Sequence, residues 1–182
     1  MSKFQINDPL LLAGKVITIF MQGAMAIAAV ILAILIPVML FAQDKIDAEI
    51  QAEMGSKVGE FPVLAVVGLF LLAIVAVAIV FVFFGKLRAI ISTVGEGDPF
   101  APINADRLSM MAWLLLALQV LMVPLAGLGL FLAKWADKIE NSNVTVDAGL
   151  DLTGILMVIV LFILARVFRH GAAMREDLEG TV

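Results

Sequence analysis

The sequence predicts an all-α protein: an integral membrane four-helix bundle with short interfacial or extramembrane helical extensions, forming a single membrane domain over residues 1–182. Three observations predict it. The chain is 63% hydrophobic, with a mean hydropathy of +1.10. Only 15% of its residues are charged, whereas a water-soluble domain carries about 25%. The charges are bunched, so that residues 16–43, 61–85, 108–133 and 152–165 contain no Asp, Glu, Lys or Arg. Crossing a hydrocarbon core of about 30 Å takes roughly 20 helical residues, and the first three stretches meet that length outright.

The first span is placed at 16–42. Its apolar run is far longer than the roughly 7 to 15 residues of a secretory signal, so it is read as a retained helix. Beyond it, Ile46, Ile50 and Met54 recur at the four-residue step of a helical stripe, which predicts that the helix continues outside the membrane as a cap resting on its neighbours. Gly55 and Gly59 offer stops, and Pro62 suits the first turn of the second span, 61–85. KLRAIISTV then carries that span into an interfacial helix, which GEGDPF breaks with two glycines and an Asp-Pro pair.

Asn104 or Asp106 is expected to cap the third span, 108–133. Trp113 and Trp135 lie 22 residues apart in sequence, about 33 Å along a helix. They either mark the two membrane surfaces or pack between helices. Pro37 and Pro124 fall in the outer parts of their spans, where each bends its helix and either opens a vestibule or is filled by neighbours. The fourth span, 150–168, is short by strict count. Arg166 extends it by snorkelling, and Asp151 is set at the outer boundary because a carboxylate at mid-bilayer costs on the order of 3 kcal/mol.

Orientation follows from the cations. Lys3, Lys15, Lys86, Arg88, Arg107, Arg166, Arg169 and Arg175 share one side, against Lys45, Lys57, Lys134 and Lys138 on the other. Both termini and the central connector are therefore expected in the cytoplasm of a bacterial inner membrane, as a multi-pass protein. The Asn143-Val144-Thr145 glycosylation triplet on the outer side is an accidental match in such a chain.

No catalytic, cofactor or metal set is legible. Cysteine is absent, which removes disulfides and thiolate chemistry. His170, the lone histidine, stands beside Arg169 and makes neither a triad nor a metal site. Ser92 and Ser109 have no base, and the GEG of the connector lacks the Gly-Lys-Ser/Thr of a phosphate loop. Direct nucleic-acid binding is not expected, because no cluster of four or more cations exists. Polar groups within the spans are few. Gln22 and Gln119, each on a face of small residues, are predicted to face the bundle interior and bridge helices, with a substrate or ion site as the less favoured role.

Gly97, Pro99, Phe100, Asn104 and Arg107-Leu108, with Phe168, Gly171, Glu176-Asp177 and Thr181-Val182, form a pattern that resembles the bacterial membrane family of domain of unknown function 2975. The resemblance covers most of the chain and is most specific from the second span onward. It implies no established activity. It does imply a membrane partner for a small helix-turn-helix regulator, of the kind often encoded beside such proteins.

The candidate partner surface is Arg88, Asp98, Arg107, Arg175, Glu176 and Asp177, all expected on the cytoplasmic face, although they are equally able to pair only with each other. The functional expectation is a non-enzymatic sensory or regulatory membrane protein that holds a cytosolic partner. The alternative is a small transporter or channel, which would need a homo-oligomer to make room for a pore.

Overall fold

The computed structural model describes residues 9–54, 60–140 and 151–179. Lys3, Gly55, Lys57, Gly59, the Asn143 triplet, Asp147 and Thr181-Val182 lie outside the described residues. Four helices follow one another: α1 (Pro9–Met54), α2 (Val63–Gly95), α3 (Pro102–Glu140) and α4 (Leu152–Glu179). Among the described residues there is no strand.

All four helices are long and apolar enough to cross a membrane, their most apolar windows having mean hydropathies of 2.9, 3.3, 2.3 and 2.2 in chain order. In α1, α2 and α3 those windows contain no buried residue. Phe20, Phe41 and Leu64 are 73%, 88% and 78% exposed. Such an apolar surface would drive association in water, whereas in a bilayer it is the surface that lipid covers.

The helices outrun the expected spans. α1 continues to Met54, with Ile46 and Ile50 half-buried. There Asp47 Oδ1 accepts a hydrogen bond at 2.6 Å from the Phe61 N–H just ahead of α2. The extension is thus pinned by a charge-assisted bond. Pro37 and Pro124 lie inside α1 and α3, which continue through them.

The chain packs as two compact units. One holds the start of α1 up to Ala26, residues 78–119 and the segment from Asp151 that forms α4; the other holds residues 27–77 and 120–150. In the second, Phe61 meets Trp135 edge to face at 5.4 Å, and Gly68 leaves room for Leu128. Trp135 thus packs within this unit. Trp113, in the first unit, keeps 61% of its surface open while touching Phe162.

The core of the first unit is Leu108, Met111, Ala112, Leu161 and Ala165, with Phe83, Leu87, Ile90 and Phe168 against it. Its register is readable. On α4, Gly154, Val158, Leu161, Ala165 and Phe168 recur in steps of four and three, and on α3 Ala105, Leu108, Ala112, Leu115 and Gln119 do the same. Steps of three and four align on one helix face, and the small residues among them let two backbones approach closely.

α2 ends where the glycines predict, by a defined motif. The Asp98 N–H donates to Thr93 O (3.0 Å) and the Gly97 N–H to Val94 O (3.1 Å), with Gly97 at φ +86°. This is a Schellman cap, whose left-handed residue costs any side chain with a Cβ about 1–2 kcal/mol. The start of α3 corrects the expected cap. The helix begins at Pro102, whose missing N–H is harmless in the first turn. Asn104 and Asp106 therefore lie inside the helix, and their side chains are free for other contacts.

Candidate functional site

The described residues among those that mark the family resemblance converge at the connector end of the first unit. The Schellman turn delivers Asp98, Pro99 and Phe100 toward α4. The Phe100 ring lies 5.5 Å from that of Phe168, tilted by 42°. A Cβ on Gly171 would stand 2.8 Å from Phe100 Cδ1, so only glycine leaves the ring its seat. Arg175 donates to Asp98, and Arg169 donates to Asp106 at 3.3 Å. Both ion pairs are largely exposed, so each is worth at most about 1 kcal/mol and guides the docking rather than holding it.

What holds this end together is Asn104, which is completely buried. Its Nδ2 donates to Thr93 Oγ1 (2.8 Å) and Pro99 O (3.1 Å), and its Oδ1 accepts from Arg107 Nη1 (2.9 Å). The Thr93 hydroxyl in turn donates to Ile90 O at 2.8 Å, and Arg107 Nη1 also reaches Ala89 O at 3.0 Å. One side chain thus ties the end of α2, the connector and the start of α3. A buried amide satisfied on both of its faces specifies a single arrangement, because any other leaves desolvated groups unpaired.

The six candidate surface residues are divided by this geometry. Asp98 and Arg175 pair with each other. Arg107 is half-buried and turned into the Asn104 network, while Arg88 reaches Gln22 Oε1 at 3.5 Å. Glu176 and Asp177 stay exposed at the end of α4.

Both glutamines bridge helices. Gln22 Nε2 donates to Phe81 O of α2 at 3.4 Å, next to Gly85, where a Cβ would come within 3.1 Å of the amide. Gln119 Nε2 donates to Asp151 Oδ2 at 3.0 Å, and its amide occupies the space that a Cβ on Gly154 would need. Asp151 does two jobs. Its other oxygen accepts from the Gly154 N–H at 2.9 Å and so caps α4. The contact with Gln119 fixes where Asp151 stands along α3. Gln119 is twelve residues beyond Arg107 along α3, about 18 Å, so the carboxylate stands beside the middle of the third apolar stretch.

Sequence reasoning missed Thr93, Asp106 and Arg169 as members of the connector cluster, and Gly85 and Gly154 as partners of the glutamines. A signal existed for the glycines: each interrupts an apolar span, and a glycine there makes room for something. Asp151 meeting Gln119 had no such signal, because their pairing depends on how far α4 slides along α3.

Four long apolar helices, joined on one side by a locked connector, define a multi-pass α-helical membrane protein. A family model described as protein of unknown function (DUF2975) matches residues 47–182, and the chain belongs to that family. The match takes in the whole connector cluster and Asp151, but not Gln22. No curated protein and no solved structure matches the chain.

Proposed function

We propose that this protein is a non-enzymatic regulatory component of a bacterial inner membrane, with both termini in the cytoplasm, whose connector end engages a cytosolic protein. The observation that carries the reading is the connector cluster itself. It is a firm polar and aromatic platform outside the apolar stretches, rooted in buried Asn104 and ending in exposed Glu176. Its described attachments to α4 include two weak, exposed ion pairs and one aromatic contact. A modest shift of α4 along α3 would break them and change the face presented, which is how a two-state element is biased. Eight of the twelve Lys and Arg fall on the connector side, which supports the orientation. The family resemblance supplies the kind of partner, a helix-turn-helix regulator.

A photo-reactive residue in place of Glu176, in cells making the full chain, tests both orientation and partner. The expected product is a covalent adduct with a cytosolic DNA-binding protein, lost when Asp98→Arg breaks the cluster. Adducts with lipid or with outer-side proteins alone would overturn the reading.

A second reading, a small oligomeric transporter or channel, draws support from Asp151 beside mid-span Gln119, since ionisable groups at that depth often mark transport pathways. Purified protein in liposomes is then expected to carry a cation or proton flux that Asp151→Asn abolishes. Absence of flux in the unmodified chain would eliminate this reading.

A further inference from the structure

Beside the connector cluster the first unit holds a cleft that the regulatory reading does not use. It has two adjoining recesses, of about 480 and 510 Å³, which share Gln22, Gly85, Ala89 and Arg107 in their linings. Each is of the size that holds a small-molecule ligand. Lys86 and Arg107 line the first recess, and Arg88 and Arg107 the second.

Three cations therefore face a single cleft. Their neighbours neutralise them only in part, with two carboxylates against three cations. Asp106 lines the cleft, but it is paired with Arg169. Glu96 lines the second recess, and among the described residues it forms no ion pair. Arg107 uses Nη1 alone for its two bonds within the protein. Among the described residues Arg88 makes only one hydrogen bond, at 3.5 Å, the outer limit for such a bond. Lys86 is half-buried, and among the described residues it has no hydrogen-bond or ion-pair partner. Lys86 and Arg107 are half-buried and Arg88 is exposed, and the three cations outnumber the two carboxylates of the linings. That excess favours an anion, and guanidinium forks favour phosphate oxygens in particular.

The rest of the first recess identifies the kind of phosphate. Phe81, Val82, Ile103 and Met110 line it, and all four are at least 39% exposed. Phe81 and Val82 belong to the apolar stretch 61–85, so this side of the cleft opens onto hydrocarbon. A ligand filling it needs a charged end and an apolar one.

We infer that the cleft is a binding site for an anionic phospholipid, with the headgroup phosphate at Arg107, which both recesses share, Lys86 and Arg88 supplying one further cation in each recess, and the acyl chains along Phe81 and Met110. Basic pockets between spans are where such headgroups settle. The assignment stands apart from the regulatory reading, because it needs no cytosolic partner.

Native mass spectrometry of the full chain in detergent, titrated with phosphatidylglycerol, tests it. The expected result is retention of phosphatidylglycerol but not of phosphatidylethanolamine. Lys86→Gln with Arg88→Gln is expected to weaken binding about thirty-fold, about five-fold for each cation. Arg166→Gln, which removes an exposed cation of α4 outside the cleft, leaves binding unchanged. Lys86→Arg with Arg88→Lys keeps both charges and keeps binding, which separates lost recognition from lost folding. Equal retention by the double glutamine variant and the unmodified chain would overturn the site. Displacement of the lipid by inorganic phosphate at the same concentration would overturn the lipid assignment and leave a soluble phosphate as the ligand.

Discussion

Replacing Asn104 with alanine lowers the stability of the protein by about 3 kcal/mol, read as the shift in its unfolding equilibrium in mixed micelles. The magnitude follows from the three bonds lost. Each neutral hydrogen bond is worth about 1 kcal/mol net, and one to a guanidinium is worth more. The groups left behind make the loss worse. Asn104 has no solvent access, so its removal takes a donor from half-buried Pro99 O and Thr93 Oγ1 and leaves a void in its place, and Arg107 loses the acceptor that orients it. Ile103→Ala, at a 53% exposed position one residue away, should stay within about 0.5 kcal/mol of the unmodified protein. If Asn104→Ala unfolds together with Ile103→Ala, the amide does not hold this end of the molecule.

The second large effect is expected at Gly154. Helix propensity alone favours valine over glycine by a few tenths of a kcal/mol, which predicts a mild gain from Gly154→Val. Packing predicts the opposite, and by more. The position of the new Cβ is already occupied by the Gln119 amide and crowded by Asp151. Forcing a branched side chain into such a contact costs about 2 kcal/mol and moves α4 off α3. The chain has no cysteine, so a single thiol at Val158, buried on the same face of α4, reports the movement without background. Its reaction with a membrane-permeant maleimide should accelerate about ten-fold in Gly154→Val, the equivalent of roughly 1.4 kcal/mol of easier opening. Adding Gln119→Ala removes the obstruction and should restore slow labelling. Fast labelling that survives that second substitution would mean the close approach at Gly154 is not what positions α4.

These two sites differ in how far they could be read beforehand. Asn104 belongs to a connector whose glycine, proline and asparagine are legible as a turn, and it is part of the family-like pattern. The role read from it, a helix cap, was wrong because Pro102 starts α3 earlier and leaves the amide free to face inward. Gln119 was legible as helix glue because an amide in an apolar span must find a partner. Its partner was not. Asp151 reads as a boundary residue when carboxylates are kept away from lipid, and nothing in that reading names the glutamine of another helix that it meets while capping its own.

By itself the sequence determined the number of helices, their apolar character and the turn between the second and third. Those properties are local, set by runs of apolar residues long enough to span a bilayer and by glycine and proline at a break. It also carried the family pattern of the connector. Only the tertiary structure decided which polar groups meet: Asn104 with Pro99 and Arg107, Gln119 with Asp151, Phe100 with Gly171, and three cations around one cleft. Apolar helices are nearly indifferent to sliding past one another in lipid. Their register is set instead by a few glycines that allow close approach and a few polar groups that cannot stay unpaired.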